Sequence, residues 1–275
     1  MAKWSLALRV LPFALLVVAL KGGVVLAGFQ VLEASPLLSS IVTANVFLLG
    51  FLLAGTLTDY KESERLPGEV ASHLESIADE CWILHRATGA APAAACMDGV
   101  AALGHDISAW FRSEVETDDL LRTVTRLDAH FLAFEPHTQA NFISRLKSEQ
   151  AAIRSKLVRI STIRTTGFVS AAYAIAEIGL ALLVVGLLIS DVGSPVQASF
   201  VVGVIAFFLG YMLLLIKDLD DPFEHAEPTP SRWAGRAGGD EVSYAAVEAA
   251  VARIEELATE LQPAVTTLHP ERDAA

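Results

Sequence analysis

Two ionisable side chains, Lys21 and Glu177, lie about ten residues inside long apolar runs of the sequence. A charge in such a run is costly in a membrane, so it normally has a partner or lines a polar path. Both runs are predicted to cross the membrane in the same direction, which gives the two charges one depth. We expect a buried Lys21–Glu177 ion pair, assisted by Asn45. The alternatives are that either charge lines an ion path, or that Lys21 snorkels while Glu177 is protonated or faces a wet cavity.

A stripe of three residues marks the second apolar run. Thr43, Phe47 and Phe51 are spaced four residues apart, so on a helix they share one face. Such a stripe usually faces lipid or packs against a neighbour, but several copies around an axis can form a hydrophobic constriction. Gly50 and Gly55 are small residues of the kind that allow close helix packing in membranes.

Four acidic residues follow the last apolar run. They are Asp218, Asp220, Asp221 and Glu224. Carboxylates are hard ligands that suit calcium, but this cluster lacks the loop glycine and the spacing of an EF-hand. We expect a solvated acidic patch beside the membrane, with a calcium site as the alternative.

Thiols and imidazoles in the polar middle of the chain are conceivable zinc ligands. The candidates are Cys81, His85, His73, Cys96 and His105. They form no CxxC pair and no HExxH motif, and scattered residues of this kind in helices usually serve packing. We expect two packed, reduced thiols and no resident cofactor.

The sequence carries no signature of the common enzyme classes. It has no phosphate-cradling glycine loop, no GxSxG and no kinase motif. The net charge of -12 disfavours a nucleic-acid partner, which needs a basic face. We therefore expect neither an enzyme nor a nucleic-acid-binding protein.

Helices that span a membrane must position these side chains. The chain is 53% hydrophobic, with a mean hydropathy of +0.48, which is too apolar for a soluble domain of this size. Roughly 20 helical residues cross a hydrocarbon core of about 30 Å. The runs that qualify are residues 11–32, 37–58, 167–189 and 196–216. Short Pro-containing turns join them into two hairpins, residues 1–58 and 167–216, so the predicted fold class is an all-α membrane protein.

The basic residues beside these runs set the expected orientation. Nine Lys and Arg flank one side of the four runs, and the two hairpin turns carry none. Because positive juxtamembrane charge stays in the cytoplasm, both termini are predicted to be cytoplasmic in a multi-pass protein of the cell membrane. A cleaved signal peptide is the competing interpretation of the N-terminus, but no clear cleavage site follows it.

The polar segments are predicted to be helical and cytoplasmic. Residues 59–166 form a block of helices, with a chain break at 65–68, a connector at 89–95 and a last helix that continues into the third span. Residues 217–275 form a tail with an extended or mobile segment at 222–239, rich in Pro, Gly and charge, and a helix at 243–261. The apolar stripe of that helix docks either on its own subunit or on a neighbouring one.

The run Phe47-Leu48-Leu49-Gly50-Phe51, followed by Glu64-Arg65-Leu66-Pro67, resembles the second membrane helix and its exit in the bestrophins. The acidic segment at 218–224 is similar to the segment at the same place in that family. The layout of two spans, a helical block, two spans and a tail also matches, and is closer still to the bestrophin-like family of unknown function. The resemblance implies a pentamer in which Phe47 and Phe51 line the neck, with Thr43 at a third position.

Two functions are compatible with this sequence. The first is an oligomeric ion channel in the lipid bilayer that passes small inorganic ions, with a lean to anions by resemblance. The second is a non-conducting scaffold or sensor that acts through its cytoplasmic helices. A channel requires the stripe of Thr43, Phe47 and Phe51 to point at a shared axis, whereas a scaffold can leave it against lipid or another helix.

Overall fold

The computed structural model describes residues 4–33, 36–165, 170–191, 193–220, 223 and 242–261. Its elements in chain order are α1 (Ser5–Leu26), β1 (Leu32–Glu33), α2 (Pro36–Thr88), α3 (Ala91–Phe111), α4 (Thr117–Ala133), α5 (Ala140–Thr165), α6 (Ser170–Ile189), β2 (Ser190–Asp191), α7 (Pro195–Asp220) and α8 (Ala245–Leu261).

The predicted all-α membrane fold is confirmed. Helices α1, α2, α6 and α7 are long and apolar enough to cross a membrane. The described strands are β1 and β2, two residues each, which pair in parallel with Leu32 opposite Ser190 and Glu33 opposite Asp191. This short pairing joins the ends of the two hairpins, which the sequence did not indicate.

The chain divides into two compact units. The membrane unit comprises Met1–Glu64 and Thr162–Val242, and the helical unit comprises Arg65–Ser161 and Ser243–Ala275. In the membrane unit, α1 packs along α7, and α6 packs on both. Its core contains Val17, Leu49, Leu52, Ala176, Leu180, Leu183, Val202, Ala206, Leu209 and Ile216.

Helix α1 begins and ends about six residues earlier than the predicted first span of residues 11–32. Its C-terminus is closed by Gly28, whose φ of +67° is accessible to glycine. The amide of Phe29 donates to the carbonyl of Val24 at 3.1 Å, and that of Gly28 to Val25 at 3.1 Å. This is a Schellman motif, which ends the helix before the apolar sequence ends.

Close contacts at glycines bring α1 and α7 together. A Cβ on Gly203 would lie 2.5 Å from Val18 Cγ2, and one on Gly210 would lie 3.3 Å from atoms of Val10 and Phe13. Since lipid tails give helices little hydrophobic reason to associate, such close van der Waals packing stabilises the pair.

Two long helices of the helical unit, α2 and α5, carry buried residues at steps of three and four. On α2 these are Leu66, Val70, Leu74, Ile77, Cys81 and Leu84; on α5 they are Leu146, Gln150, Ile153, Leu157 and Ile160. Such steps of three and four residues are the pattern of helices packed side by side along their length.

Polar pairs join the same two helices beside this apolar seam. The pairs are Glu69 with Lys156, His73 with Glu149 at 2.7 Å, and Glu80 with Arg145 at 2.9 Å. Residue numbers rise on α2 as they fall on α5, so the helices run antiparallel. The hydrogen-bonded ammonium of Lys156 holds the pKa of the Glu69 carboxyl below its usual value.

The predicted break at residues 65–68 is wrong, because α2 continues through Pro67 to Thr88. A proline inside a helix costs about 3 kcal/mol, since it removes one backbone hydrogen bond. Leu66 and Val70, on either side of Pro67, are 2% and 0% exposed. Burial of such side chains offsets the cost of the proline and keeps the helix continuous.

The predicted connector at residues 89–95 is also too long. Helix α3 begins at Ala91 with Pro92 in its first turn, where proline's missing N–H is not needed. The turn before it is short, with Gly89 at a φ of +69°. The alanines that follow therefore belong to the helix.

Helix α8 docks on α3 of the same chain, which is the first of the two predicted arrangements. Val247, Val251 and Ile254 of its stripe are buried. A Cβ on Gly104 of α3 would lie 2.3 Å from Val251 Cγ2, so the two helices are in close contact there. Tyr244, just before α8, stacks on Phe111 with ring centroids 5.3 Å apart.

Two predictions fall on residues outside the described part of the chain. The continuation of α5 into the third span depends on residues 166–169, and the extended tail segment of residues 222–239 is described only at Phe223.

Candidate functional site

The first part of α2 has one face packed within the membrane unit. Leu49, Leu52 and Thr56 are 0%, 3% and 1% exposed, respectively. The two leucines belong to the core formed with α6 and α7. The Thr56 hydroxyl donates to the Leu52 carbonyl at 3.2 Å, so this face leaves no hydroxyl donor unsatisfied at that point.

The opposite face of α2 is not covered by the described residues of its own chain. Six residues at steps of three and four define this exposed α2 face: Ser40, Thr43, Phe47, Phe51, Ala54 and Thr58. Phe47 is 75% exposed and Phe51 is 67% exposed. The face spans about 27 Å along the helix, close to the thickness of a hydrocarbon core.

The hydroxyls of the exposed α2 face donate to the carbonyls one turn earlier in their own helix. Ser40 donates to Pro36, Thr43 to Ser39, and Thr58 to Ala54, each at 2.9 Å. The donors are thus occupied, while oxygen lone pairs stay on the surface. The face therefore presents acceptor oxygens towards both ends and two phenyl rings in the middle.

Asn45 lies between the two faces and contacts α6. Its amide nitrogen donates to the Ile41 carbonyl at 3.2 Å. Its Oδ1 atom is buried without a hydrogen-bond partner among the described residues, and a Cβ on Gly179 would lie 2.6 Å from it. Gly179 therefore lets α6 approach α2 at this point.

The glycines that mediate contacts within one chain differ from those predicted. A Cβ on Gly50 would have no described atom within 4 Å, whereas Gly179, Gly203 and Gly210 each lie against another helix. The packing role of Gly50 and Gly55 stays a prediction.

Lys21 is fully buried at the end of α1, where it binds the C-terminus of α6. Its ammonium donates to the carbonyls of Leu187 at 3.1 Å and Leu188 at 3.0 Å, and also to that of Ser190. The last carbonyls of a helix lack partners within the helix and carry the negative end of its dipole. The ammonium satisfies them next to the β1–β2 pairing.

Glu177 has a different partner, Lys217 of α7. Both side chains are about half exposed, at 49% and 47%. Tyr173, one turn earlier on α6, interacts with Asp220 of α7. The two contacts form a short polar ladder between α6 and α7.

The expected Lys21–Glu177 ion pair is therefore wrong. Lys21 lies in the last two turns of α1 because the Gly28 motif ends that helix early. Glu177 lies ten residues before Leu187, which is about 15 Å along the α6 axis. The two charges sit at different depths, and each has a nearer partner.

The acidic cluster is only partly described. Asp218 and Asp220 end α7, while Asp221 and Glu224 lie outside the described residues. Within the described part of the chain, no three His, Cys, Asp or Glu side chains are grouped to hold a metal ion. The calcium alternative gains no support from the two acids that are described.

The imidazoles considered for zinc have separate partners in the helical unit. His73 Nδ1 lies 2.7 Å from Glu149, and His105 Nε2 lies 2.8 Å from Glu255. His85 Nδ1 lies 3.2 Å from the Ala90 carbonyl. Cys81 and Cys96 are both buried and free. These residues are not brought together as one ligand set.

Comparison with known proteins identifies the fold. No family model matches this chain, and no curated protein matches it in sequence. Solved structures do match. A variant of a bacterial bestrophin homologue from Klebsiella pneumoniae superimposes with a TM-score of 0.71 at 14% identity, over 91% of this chain and 98% of that one.

Two further structures give the same result. The bestrophin homologue from Klebsiella pneumoniae in another crystal structure has a TM-score of 0.67 at 16% identity, over 94% of this chain and 98% of that one. A protein described only as a membrane protein has a TM-score of 0.73 at 15% identity, over 94% and 98%. The bestrophin-like relationship predicted from the sequence is thus confirmed at the level of the fold.

Proposed function

We propose that this chain assembles into an oligomeric channel for small inorganic ions, with the exposed α2 face turned to the shared axis. The described part of one chain supplies four membrane helices, which are too few to enclose a hydrated path. The proposal places the chain in the lipid bilayer of the cell membrane as a homo-oligomer, a pentamer by resemblance, with both termini cytoplasmic.

The exposed α2 face is the observation that carries this proposal. In an 18-residue apolar stretch of α2, only 11% of the residues are buried within the chain, compared with 39% in such a stretch of α7. Lipid could cover such a face, but a pore lining also accounts for hydroxyl-bearing residues at positions 40, 43 and 58 in line with two phenylalanines. Ions need polar oxygens where the path is wide, and apolar rings can gate it where it is narrow.

In this proposal Phe47 and Phe51 form the constriction, and Thr43 lies beside it. Rings of bulky apolar side chains close a pore by excluding water from it. Gly50 and Gly55 then allow neighbouring copies to approach α2. The lean towards anions stays a prediction from the resemblance.

The polar groups away from this face have structural roles in the proposal. Glu177 and Lys217 neutralise each other on the surface of α6 and α7, which lowers the cost of a charge within a span. Lys21 holds the end of α6, and Asn45 fits against Gly179. None of these groups lies on the exposed α2 face, so the proposal assigns them no part in conduction.

The test is ion flux into liposomes that contain the purified protein, with its oligomeric state verified. The variant changes Phe47 and Phe51 to alanine. The matched control changes Phe200 and Phe208 on α7, which are 70% and 61% exposed, to alanine. Removal of the constriction should raise flux several-fold, while the control should behave like the unchanged protein.

Two outcomes would contradict the channel. One is the absence of flux from every form in a verified oligomer, which would favour the non-conducting scaffold. The other is an equal effect of the two double variants, which would mean that Phe47 and Phe51 act only as part of a lipid-facing surface. Reversal potentials in salt gradients would test the lean to anions separately.

A further inference from the structure

One basic side chain of the membrane unit has no partner within the described part of the chain. Arg9 is exposed on α1, and it forms no hydrogen bond and no ion pair with any described residue. Lys21 on the same helix and Lys217 on α7 both bind partners. A charge on a membrane helix is costly unless it meets a polar group, so Arg9 requires a partner that the described residues do not supply.

Arg9 lies near one boundary of the hydrocarbon core. It precedes Lys21 by 12 residues, about 18 Å along the helix, and Lys21 binds beside the β1–β2 pairing at the other end of the hairpins. Trp4, five residues before Arg9, is 73% exposed, and exposed tryptophan is typical of the membrane–water interface. An arginine at this depth reaches the level of lipid phosphates while its apolar stem stays in the hydrocarbon.

Glu177 of α6 lies at the same depth but already has a partner. Both α1 and α6 lead into the parallel β1–β2 pair, so they run in the same direction. Lys21 meets the Leu188 carbonyl at 3.0 Å, and Arg9 and Glu177 lie 12 and 11 residues before these two residues. Since Lys217 neutralises Glu177, the charge of Arg9 is left uncompensated at this level of the chain.

An apolar stripe continues from Arg9 along one side of α1. Phe13, Leu16 and Leu20 follow it at steps of four, three and four residues, and all of them are exposed. These four residues, the Arg9 stripe, span about 16 Å, close to half of a hydrocarbon core of about 30 Å. The Arg9 stripe therefore combines a cation at the membrane boundary with an apolar surface as long as one leaflet.

We propose that the Arg9 stripe binds one anionic phospholipid in the leaflet at the N-terminal end of α1, which is predicted to be cytoplasmic. The guanidinium donates two parallel hydrogen bonds to phosphate oxygens, and an acyl chain lies along the three apolar side chains. A zwitterionic lipid binds less well, because its own ammonium offsets the charge of its phosphate. A second exposed stripe of α1, formed by Leu8, Leu11 and Leu15, has no charge and gives no preference for one headgroup.

The test counts lipids bound to the full chain, purified in detergent, by native mass spectrometry. Phosphatidylglycerol is compared with phosphatidylcholine that has the same acyl chains. The unchanged protein should bind phosphatidylglycerol with roughly tenfold higher affinity, the effect of one charge-assisted contact. Arg9→Gln should remove this preference, and Arg9→Lys should keep part of it. The matched control is Arg126→Gln on α4, an exposed arginine that also has no partner among the described residues, and it should behave like the unchanged protein.

Four outcomes would overturn the proposal. Two are equal binding of both lipids and an equal effect of Arg9→Gln and Arg126→Gln. The third is displacement of phosphatidylglycerol by inorganic phosphate, which would mean that the site holds free phosphate without an acyl chain. The fourth is a shift of Arg9→Gln to smaller oligomers with its lipid preference intact, which would assign Arg9 to a contact between copies. No ion flux is measured, so the failure of the channel proposal would leave the result standing.

Discussion

Glu177 of α6 forms an ion pair with Lys217 of α7, near the start of one membrane helix and the end of the other. Because α6 and α7 form the second hairpin, this ion pair links the two helices of that hairpin. Lys21, the other charge expected to bind Glu177, instead caps the far end of α6. The two basic residues thus stabilise α6 at different places.

Reversing the charges tests the α6–α7 pair. Glu177→Lys or Lys217→Glu alone should lower the thermal stability of the protein in nanodiscs, because each change puts two like charges side by side at membrane depth. The double reversal should recover most of the loss, since the pair is restored in the opposite order. Strictly additive effects of the two changes would show that the pair is not coupled.

Lys21→Met should lower stability by about 1–3 kcal/mol, because the carbonyls of Leu187 and Leu188 would stay buried without a donor. Methionine keeps the length and apolar body of the side chain, so the change isolates the ammonium. Lys61→Met, at an exposed position of α2, is the control and should stay within about 0.5 kcal/mol. Thermal unfolding in nanodiscs measures both. Equal effects would contradict the capping role.

The helices of this fold were largely predictable because their signals are spread over many residues. Four apolar runs predict α1, α6, α7 and the first part of α2, and the polar segments at 59–166 and 243–261 are predicted to be helical. The prediction errors occur where a single residue determines whether a helix ends or continues. Gly28 ends α1 and shifts it by six residues, about 9 Å along the axis, which moves Lys21 away from Glu177. Pro67 does not end α2, because the burial of neighbouring side chains offsets the cost of a proline inside the helix.

The candidate site was predictable only in part for the same reason. The spacing of Thr43, Phe47 and Phe51 puts them on one face, and the structure shows that this face is exposed within one chain. Partner choice depends on the rotation and depth of neighbouring helices, which spacing within one helix does not encode. The contacts of Asn45 with Gly179 and of Glu177 with Lys217 were therefore missed.

Acid pH should weaken the helical unit through Asp128. Hydrogen bonds from Lys147 and Gln150 lower the pKa of its carboxyl from 3.8. A depressed folded-state pKa stabilises the fold above the unfolded-state value and loses that contribution as pH falls through the folded-state value. Asp128→Asn should therefore flatten the loss of stability below about pH 4, measured by urea unfolding. Glu135→Gln, an exposed acid of the same unit, should leave the profile unchanged; identical profiles for all three proteins would contradict the prediction.

Gly104→Ala should loosen α8 from α3, because the added Cβ would lie 2.3 Å from Val251 Cγ2. Overpacking of this kind costs about 1–3 kcal/mol. Hydrogen exchange in residues 245–261 reports on it and should become faster. Gly68→Ala, where nothing described lies within 4 Å, is the control. If hydrogen exchange is unchanged in the Gly104 variant, the contact between α3 and α8 accommodates the added Cβ without loss of stability, which would contradict the prediction.

Gly179→Ala and Gly50→Ala separate packing within one chain from packing between chains. The Gly179 variant would place a Cβ 2.6 Å from Asn45 Oδ1 and should lower the stability of the single chain by about 1–3 kcal/mol. The Gly50 variant meets nothing described within 4 Å, so the single chain should be unaffected or slightly stabilised, since alanine favours helix. If copies pack at Gly50, that variant should instead weaken the oligomer, seen as a shift to smaller species by native mass spectrometry. If the distribution of oligomeric species is unchanged, Gly50 does not lie in the interface between copies, and Phe47 and Phe51 are the residues of α2 to examine.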